Sequence, residues 1–372
     1  MCRIGSIKCR EAVPPSLALR LMLPQQEGHD NSGFALVMQD LEGAFSHYKE
    51  TPLLSLATTP EGLRLVADHM AALGFVQLAQ WVPEVDNRAG LNMAAMPRYV
   101  FSNYDWPEVY RYRGQKDREE LLLDTRLALR RLLEEHDAGY VYSFWPDVLT
   151  LKEIGDPADI AAYFRLWDDD GRLVARNIVA QCRQNTNYGI VRYAAHPFFL
   201  QGHTLCANGE NTLFTRNREF QQSLHRGYTG FESDSQCLLY TLHYVHRELG
   251  WPLTYYKHVL TPLPAAEAAA REDGEVLGLI RESLAQLEIN GPNAIIGLLP
   301  DGKMLACCDA KKLRPLVIGS GEGDDGDMVA MASEVCALNA ILPARDKEKD
   351  IYPGERELVV VDNGLELQRW LQ

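Results

Sequence analysis

Apolar residues recur at three- and four-residue intervals over 60–73, 117–136, 233–249, 264–287 and 328–338. That spacing places them on one face of a helix and predicts five helices. The second has acidic residues early and Arg130-Arg131 late, the charge order that complements a helix dipole. Elsewhere the apolar runs are short and end at turn-forming pairs. Residues 293–300 and 303–308 flank Asp301-Gly302, and 357–362 and 365–367 flank Asn363-Gly364, which predicts two hairpins and hence antiparallel sheet. The result is an α+β chain. With no repeat, low-complexity linker or break in composition, residues 1–372 are expected to form a single domain, and 82–165 is an elaboration that the pattern leaves unassigned.

A length of 372 residues with 46% hydrophobic content allows a substantial core. No apolar run approaches the roughly 18 residues of a membrane span, and Arg3, Lys8 and Arg10 are not followed by a signal-peptide core, so a cytoplasmic protein is expected. The net charge of −14 argues against binding to nucleic-acid backbones and leaves small molecules or proteins as partners. The eight cysteines include no C-x-x-C pair. Zinc or iron–sulfur ligation by this chain is therefore not expected, and Cys307 and Cys308, adjacent on a strand, should face opposite ways.

Cys2 follows Met1 directly. Removal of that methionine would leave a thiol and a free α-amine on one residue. Their ordinary pKa values are about 8.5 and 7.7–8.0, so the amine can take the thiol proton near neutral pH. Asn208-Gly209 ends a short apolar run. The pair reads first as a turn, but an Asn amide beside a Gly N–H is also a way to hold an oxyanion. Three other patterns are weaker. The G-x-G-x-x-G at 321–326 carries Glu322, Asp324 and Asp325, with Asp327 next, where a phosphate would sit; a mobile acidic loop before a helix is expected instead. His243 and His246 share a helix face with no third metal ligand nearby, and Asp168-Asp169-Asp170-Gly171 reads as a solvated turn between strands.

Taken in order, Cys2-Arg3-Ile4-Gly5, Gly28-His29-Asp30-Asn31-Ser32-Gly33, Cys182-Arg183-Gln184, Ala207-Asn208-Gly209-Glu210-Asn211-Thr212 and Glu232-Ser233-Asp234-Ser235 resemble the motifs of class II glutamine amidotransferases. Two later segments, Leu313-Arg314-Pro315 and Ala332-Ser333-Glu334-Val335, are similar to stretches of the amidotransferase portion of glutamate synthases. The chain departs from that pattern at Arg3, where Gly is usual; at Gln181-Cys182, where His-Thr is usual; at Ala207, where His is usual; and after Glu210, where an Ile is missing.

The resemblance implies an N-terminal-nucleophile (Ntn) hydrolase fold, an αββα four-layer sandwich. It implies Cys2 as nucleophile with its own α-amine as base, Asn208 and Gly209 as oxyanion hole, Arg183 on the glutamine α-carboxylate and Asp234 on its α-ammonium. It further implies hydrolysis of L-glutamine and transfer of ammonia to a glutamate-synthase-type synthase subunit. No cofactor is expected in this chain; FMN and an iron–sulfur cluster are expected on that partner. The departures leave a second possibility, a glutamine-sensing or scaffolding subunit without turnover.

Overall fold

The computed structural model describes residues 2–27, 29–86, 98–185, 188–224 and 230–372. Met1 and Gly28, both used in the sequence reading, and residues 87–97 of the unassigned stretch lie outside the described residues.

Two six-stranded antiparallel sheets form the centre of the structure. The first has the order Val317–Gly323, Gly326–Ala332, Arg3–Val13, Leu173–Cys182, Phe34–Gly43, Val148–Glu153. The second has the order Leu367–Leu371, Glu357–Val361, Met304–Cys308, Asn293–Leu298, His203–Gly209, Phe198–Leu200. Their facing surfaces form one apolar cluster, with Ile4, Val179, Val329 and Met331 from the first sheet against Cys206, Ile296, Leu298 and Ala306 from the second. Two-residue alternation then sends the intervening side chains outward. Ile7, Ile178 and Ala330 pack under the helices Pro15–Met22 and Val335–Ile341. Leu205, Ile295, Leu305 and Cys307 pack under Ser235–His243, Thr254–Leu260 and Gly274–Ser283.

Both predicted hairpins form, with Asn293–Leu298 paired to Met304–Cys308 and Glu357–Val361 paired to Leu367–Leu371. Cys307 and Cys308 face opposite clusters, and both are buried because the second sheet is covered on both sides. Three of the five expected helices appear close to their predicted bounds, as Pro60–Ala72, Gln115–Glu135 and Ser235–His243 continued by a π-helical turn, Tyr244–Glu248. The fourth breaks into Ala265–Ala269, Gly274–Ser283 and a short turn Ala285–Leu287, because the polar run 271–273 interrupts the apolar face. The fifth is corrected: Gly326–Ala332 is a strand, and the helix starts only at Val335. Met328 and Ala330 face the helices while Val329 and Met331 face the other sheet, so a strand buried on both sides presents the unbroken apolar run that was read as helix.

The same finding corrects the acidic segment. It is a two-residue hairpin turn at Asp324-Asp325, closed by the Gly323–Gly326 pair and tied to Arg20, whose Nη2 lies 2.6 Å from Asp325. The Asp168–Gly171 turn is exposed, as expected, but it follows the helix Pro157–Tyr163 rather than a strand.

The stretch 82–165 contributes to a third, four-stranded sheet in the order Val76–Trp81, Arg98–Asp105, Pro52–Thr58, Gly139–Pro146. Leu54, Val100 and Phe144 on one face pack under the helices Pro60–Ala72 and Gln115–Glu135, while Tyr99, Phe101 and Tyr142 on the other join the cluster of the first sheet. Its outer strand, Val76–Trp81, carries no charged residue and exposes Val76 and Leu78. A bulge between Gln77 and Ala79 interrupts its pairing with Arg98–Asp105.

Candidate functional site

Arg3 is paired with Cys182 at the start of the first strand, which puts Cys2 just beyond the ladder, beside Arg183 and Gln184. The Gln184 N–H donates to the Cys2 sulfur at 3.3 Å, and the thiol donates to the Gln184 carbonyl at 3.2 Å. Alternation turns Cys2 and Ile4 toward the second sheet and Arg3 away from it. Arg3 Nε donates to the Gln25 carbonyl at 2.9 Å and its Nη2 lies 4.0 Å from Glu334, so the departure at position 3 does not crowd the thiol. Burial pushes the Cys2 thiol up; the Gln184 N–H and the positive charge of Arg183 oppose this, and Asp234 adds to it.

Arg183 continues the Leu173–Cys182 strand, its N–H donating to the Gly33 carbonyl at 2.9 Å. It is 3% exposed. Nη2 donates to Asn185 Oδ1 at 3.0 Å and to the Gly189 carbonyl at 3.1 Å, while Nη1 is buried with no partner among the described residues. The turn through Asp30 packs against this segment, since Asp30 accepts from the Asn185 N–H at 2.9 Å and from Ser32. Burial works against ionisation of Asp30, but hydrogen bonds from Ser32 and Asn185 outweigh it and hold the carboxyl below its usual range. Burial pulls the Arg183 guanidinium down, opposed by Cys2, Asp30 and Asp234.

Asp234 precedes the helix Ser235–His243 but makes no cap hydrogen bond to it. Its carboxylate reaches instead to the segment after Asn208, accepting from the Asn211 N–H at 2.6 Å, and from the Ser233 hydroxyl at 3.2 Å. Asn211 is the residue that follows Glu210 directly where the Ile is missing. Burial raises the Asp234 carboxyl, and the Asn211 N–H opposes it.

Asn208 and Gly209 end the strand His203–Gly209. Asn208 is 1% exposed; its Nδ2 lies 3.5 Å from Ser333 Oγ, and its Oδ1 is buried without a partner among the described residues. Gly209 has φ 155°, and a Cβ there would stand 1.8 Å from the Pro292 carbonyl oxygen, which accepts the Glu210 N–H. Gly209→Ala is therefore expected to force that carbonyl away and destabilise the fold by about 1–3 kcal/mol. Chemical unfolding of the two proteins checks this; equal midpoints would show that the strand end adapts.

Beneath these residues lies a network that the sequence reading did not single out. Gln181 donates to the Ala207 carbonyl and to His196 Nδ1, each at 2.9 Å, and accepts the His196 N–H at 3.0 Å. With Nδ1 accepting, the His196 proton sits on Nε2, 3.3 Å from Ser233 Oγ, which in turn bonds Asp234. Burial, with Arg183 and Lys152 nearby, keeps His196 neutral. Two of the departures thus meet, since Gln181 bridges the two sheets onto the Ala207 backbone. The only sequence signal for His196 is a lone His before Pro197, which has no periodicity to interpret.

The remaining candidates lie elsewhere. His243 is fully buried rather than on a helix surface and approaches Gln201 Oε1 at 2.8 Å, while His246 faces His203 at 3.0 Å. Among the described residues no group of three or more His, Cys, Asp or Glu side chains is placed to hold a metal. Arg192 is bound to Glu153 at 2.9 Å and Arg216 to the Glu288 carbonyl at 3.1 Å, so neither is a ready substitute for Arg183. A cavity walled by Trp81, Phe101, Phe164 and Leu173 sits at the opposite end of the strand that leads to Arg183. No helix among the described residues is long and apolar enough to cross a membrane.

No family model matches the chain. It is 25% identical over 247 residues to an uncharacterized protein of Archaeoglobus fulgidus, a match covering 65% of this chain and 63% of that one. Among solved structures it aligns over its full length with 49% of a glutamine phosphoribosylpyrophosphate (PRPP) amidotransferase from B. subtilis, at 12% identity and a TM-score of 0.44. It also aligns over 60% of its length with 84% of a glutamine aminotransferase class-II domain protein from Silicibacter pomeroyi, at 8% identity and a TM-score of 0.34. The chain thus spans less than two thirds of the length of the archaeal protein and about half of the B. subtilis one.

Proposed function

We propose that this chain is a class II glutamine amidotransferase that hydrolyses L-glutamine to L-glutamate and ammonia, on an αββα fold of the Ntn type. The observation behind this reading is that Cys2, Arg183 and Asp234, up to 232 positions apart (2 to 234), lie close enough for their charges to act on one another, while Asn211, two residues past the Asn208-Gly209 pair, donates to Asp234. The free Arg183 Nη1 suits one oxygen of an amino-acid carboxylate, because a guanidinium forks onto carboxylates. Asp234 supplies the matching charge for an α-ammonium.

With Met1 removed, the Cys2 α-amine takes the thiol proton and the sulfur attacks the glutamine side-chain amide. Asn208 and Gly209 stabilise the oxyanion. As the C–N bond breaks, the α-ammonium returns its proton to the departing ammonia. Water, deprotonated by the same amine, then hydrolyses the γ-glutamyl thioester and releases glutamate and the thiol.

The ammonia would pass to a glutamate-synthase-type subunit carrying FMN and an iron–sulfur cluster. Isolated turnover is then expected to be slow and to rise about five- to 150-fold on binding of that subunit, the usual span of a coupling between sites. Intact-mass measurement of the native protein, followed by a glutaminase assay with and without co-purified partner, tests both parts. Retained Met1 together with absent turnover favours the sensing or scaffolding reading. Full-speed turnover by a lone species favours a free-standing glutaminase.

A further inference from the structure

We infer that Ser333 is a positioning residue that turns the Asn208 amide so that its N–H, not its carbonyl, is available to the oxyanion; the inference rests on the reading of the site given above. Ser333 stands just past the strand Gly326–Ala332 and is buried. Its N–H donates to the Ile4 carbonyl at 3.0 Å, and the Ile4 N–H donates to its Oγ at 3.1 Å. The hydroxyl oxygen is thus locked to the nucleophile strand, two residues from Cys2.

A hydroxyl that accepts one hydrogen bond still has a proton to give. The group within reach is the Asn208 amide, 3.5 Å away. With Nδ2 facing Ser333, the amide gives Oγ only a long hydrogen bond and the hydroxyl proton finds no acceptor among the described residues, while Oδ1 is left buried and unbonded. Burying an unbonded carbonyl costs about 1–3 kcal/mol, so the hydrogen-bond inventory favours the amide rotated by half a turn. In that orientation Asn208 Oδ1 accepts the Ser333 O–H, and Nδ2 points its N–H where the unbonded oxygen had been. One serine then joins the nucleophile strand to the oxyanion donor. Among the described residues neither Arg183 nor Asp234 is hydrogen-bonded to this pair, so Ser333 is expected to act on the chemical step and not on glutamine affinity.

Ser333→Ala is expected to lower kcat for glutamine hydrolysis roughly ten- to a hundredfold, less than the outright loss of an oxyanion donor, with KM unchanged. Ser333→Thr keeps the hydroxyl and is expected to retain kcat within about threefold. A second readout separates amide orientation from simple disruption. Alkylation of Cys2 by iodoacetamide forms a C–S bond at a saturated carbon and expels iodide, with no oxyanion, so its rate should be the same in all three proteins. The exposed Cys336, followed in the same peptide map, serves as internal reference. Unchanged kcat in Ser333→Ala, an equal fall in Ser333→Thr, or a parallel fall in Cys2 alkylation would overturn the inference. A wild-type protein without glutamine turnover, seen before any variant is made, overturns the reading of the site and this inference with it.

Discussion

Cys2→Ala is expected to abolish glutamine hydrolysis, by a factor on the order of 10⁴ or more, while leaving the unfolding midpoint essentially unchanged. The loss should be large because without the Cys2 sulfur the γ-glutamyl thioester cannot form. The fold should survive because Cys2 lies outside the ladder that begins at Arg3 and, among the described residues, its sulfur is hydrogen-bonded to the Gln184 backbone alone. A glutamine-shaped electrophile such as a diazo-ketone analogue should label Cys2 in preference to the other seven cysteines. Six of those are buried, but Cys336 is exposed, so a reagent without the glutamine shape will mark it as well. Selectivity for Cys2 must therefore come from recognition by the site. Because burial pushes the Cys2 thiol up, its reaction with a plain alkylating agent should keep accelerating as pH rises through the ordinary thiol range. Labelling spread over several cysteines, or absent from Cys2 in protein that has lost Met1, would count against catalysis.

Arg183→Ala should raise the Michaelis constant for glutamine about ten- to more than a hundredfold, since a charge-assisted contact contributes roughly 1.5–3 kcal/mol. The turnover number should change much less, because the guanidinium grips the end of the substrate that does not react. Rescue from within the protein is not expected, as Arg192 and Arg216 are held by their own partners. Steady-state kinetics decides this, and an unchanged constant would mean that some other cation holds the carboxylate. Asp234 should leave an acid-side signature. Its carboxyl is raised by burial, so the charged form needed to pair with an ammonium is lost on acidification at a higher pH than for an exposed aspartate. Glutamine affinity should fall there first.

The parts of this structure that could be read from the chain are those written locally. The Asp301-Gly302 and Asn363-Gly364 hairpins depend on turn chemistry within a few residues, and the helices Pro60–Ala72 and Gln115–Glu135 each keep one buried face. The strand Gly326–Ala332 was misread because burial on both sides erases the alternation that marks a strand. The third sheet was missed because it assembles out of order, with Pro52–Thr58 paired to two strands, Arg98–Asp105 and Gly139–Pro146, that both follow it at long separation in the chain. For the site, Cys2, Arg183, Asn208, Gly209 and Asp234 were chosen through ordered motifs; of these, Cys2, Arg183 and Asp234 lie within reach of one another's charge. The route by which Asp234 is held was not legible. Besides the neighbouring Ser233 and Ser235 its partner is the Asn211 backbone, and no side-chain pattern encodes that last contact. His196 and Ser333 matter only through what lies across the sheets from them.

The bulge in the outer strand of the third sheet also bears on how the protein behaves in solution. Among the described residues no strand pairs with the outer side of Val76–Trp81, and an uncharged edge with exposed Val76 and Leu78 is one onto which a strand of another molecule can add, the route by which folded chains stick to one another. Most natural sheets guard such an edge with lysine or proline, and Val76–Trp81 contains neither. The extra residue at Leu78 takes over that protection, because it bends the strand and breaks the even spacing of donors and acceptors partway along. An incoming strand finds a continuous row only a few residues long on either side of the kink, too short to hold it.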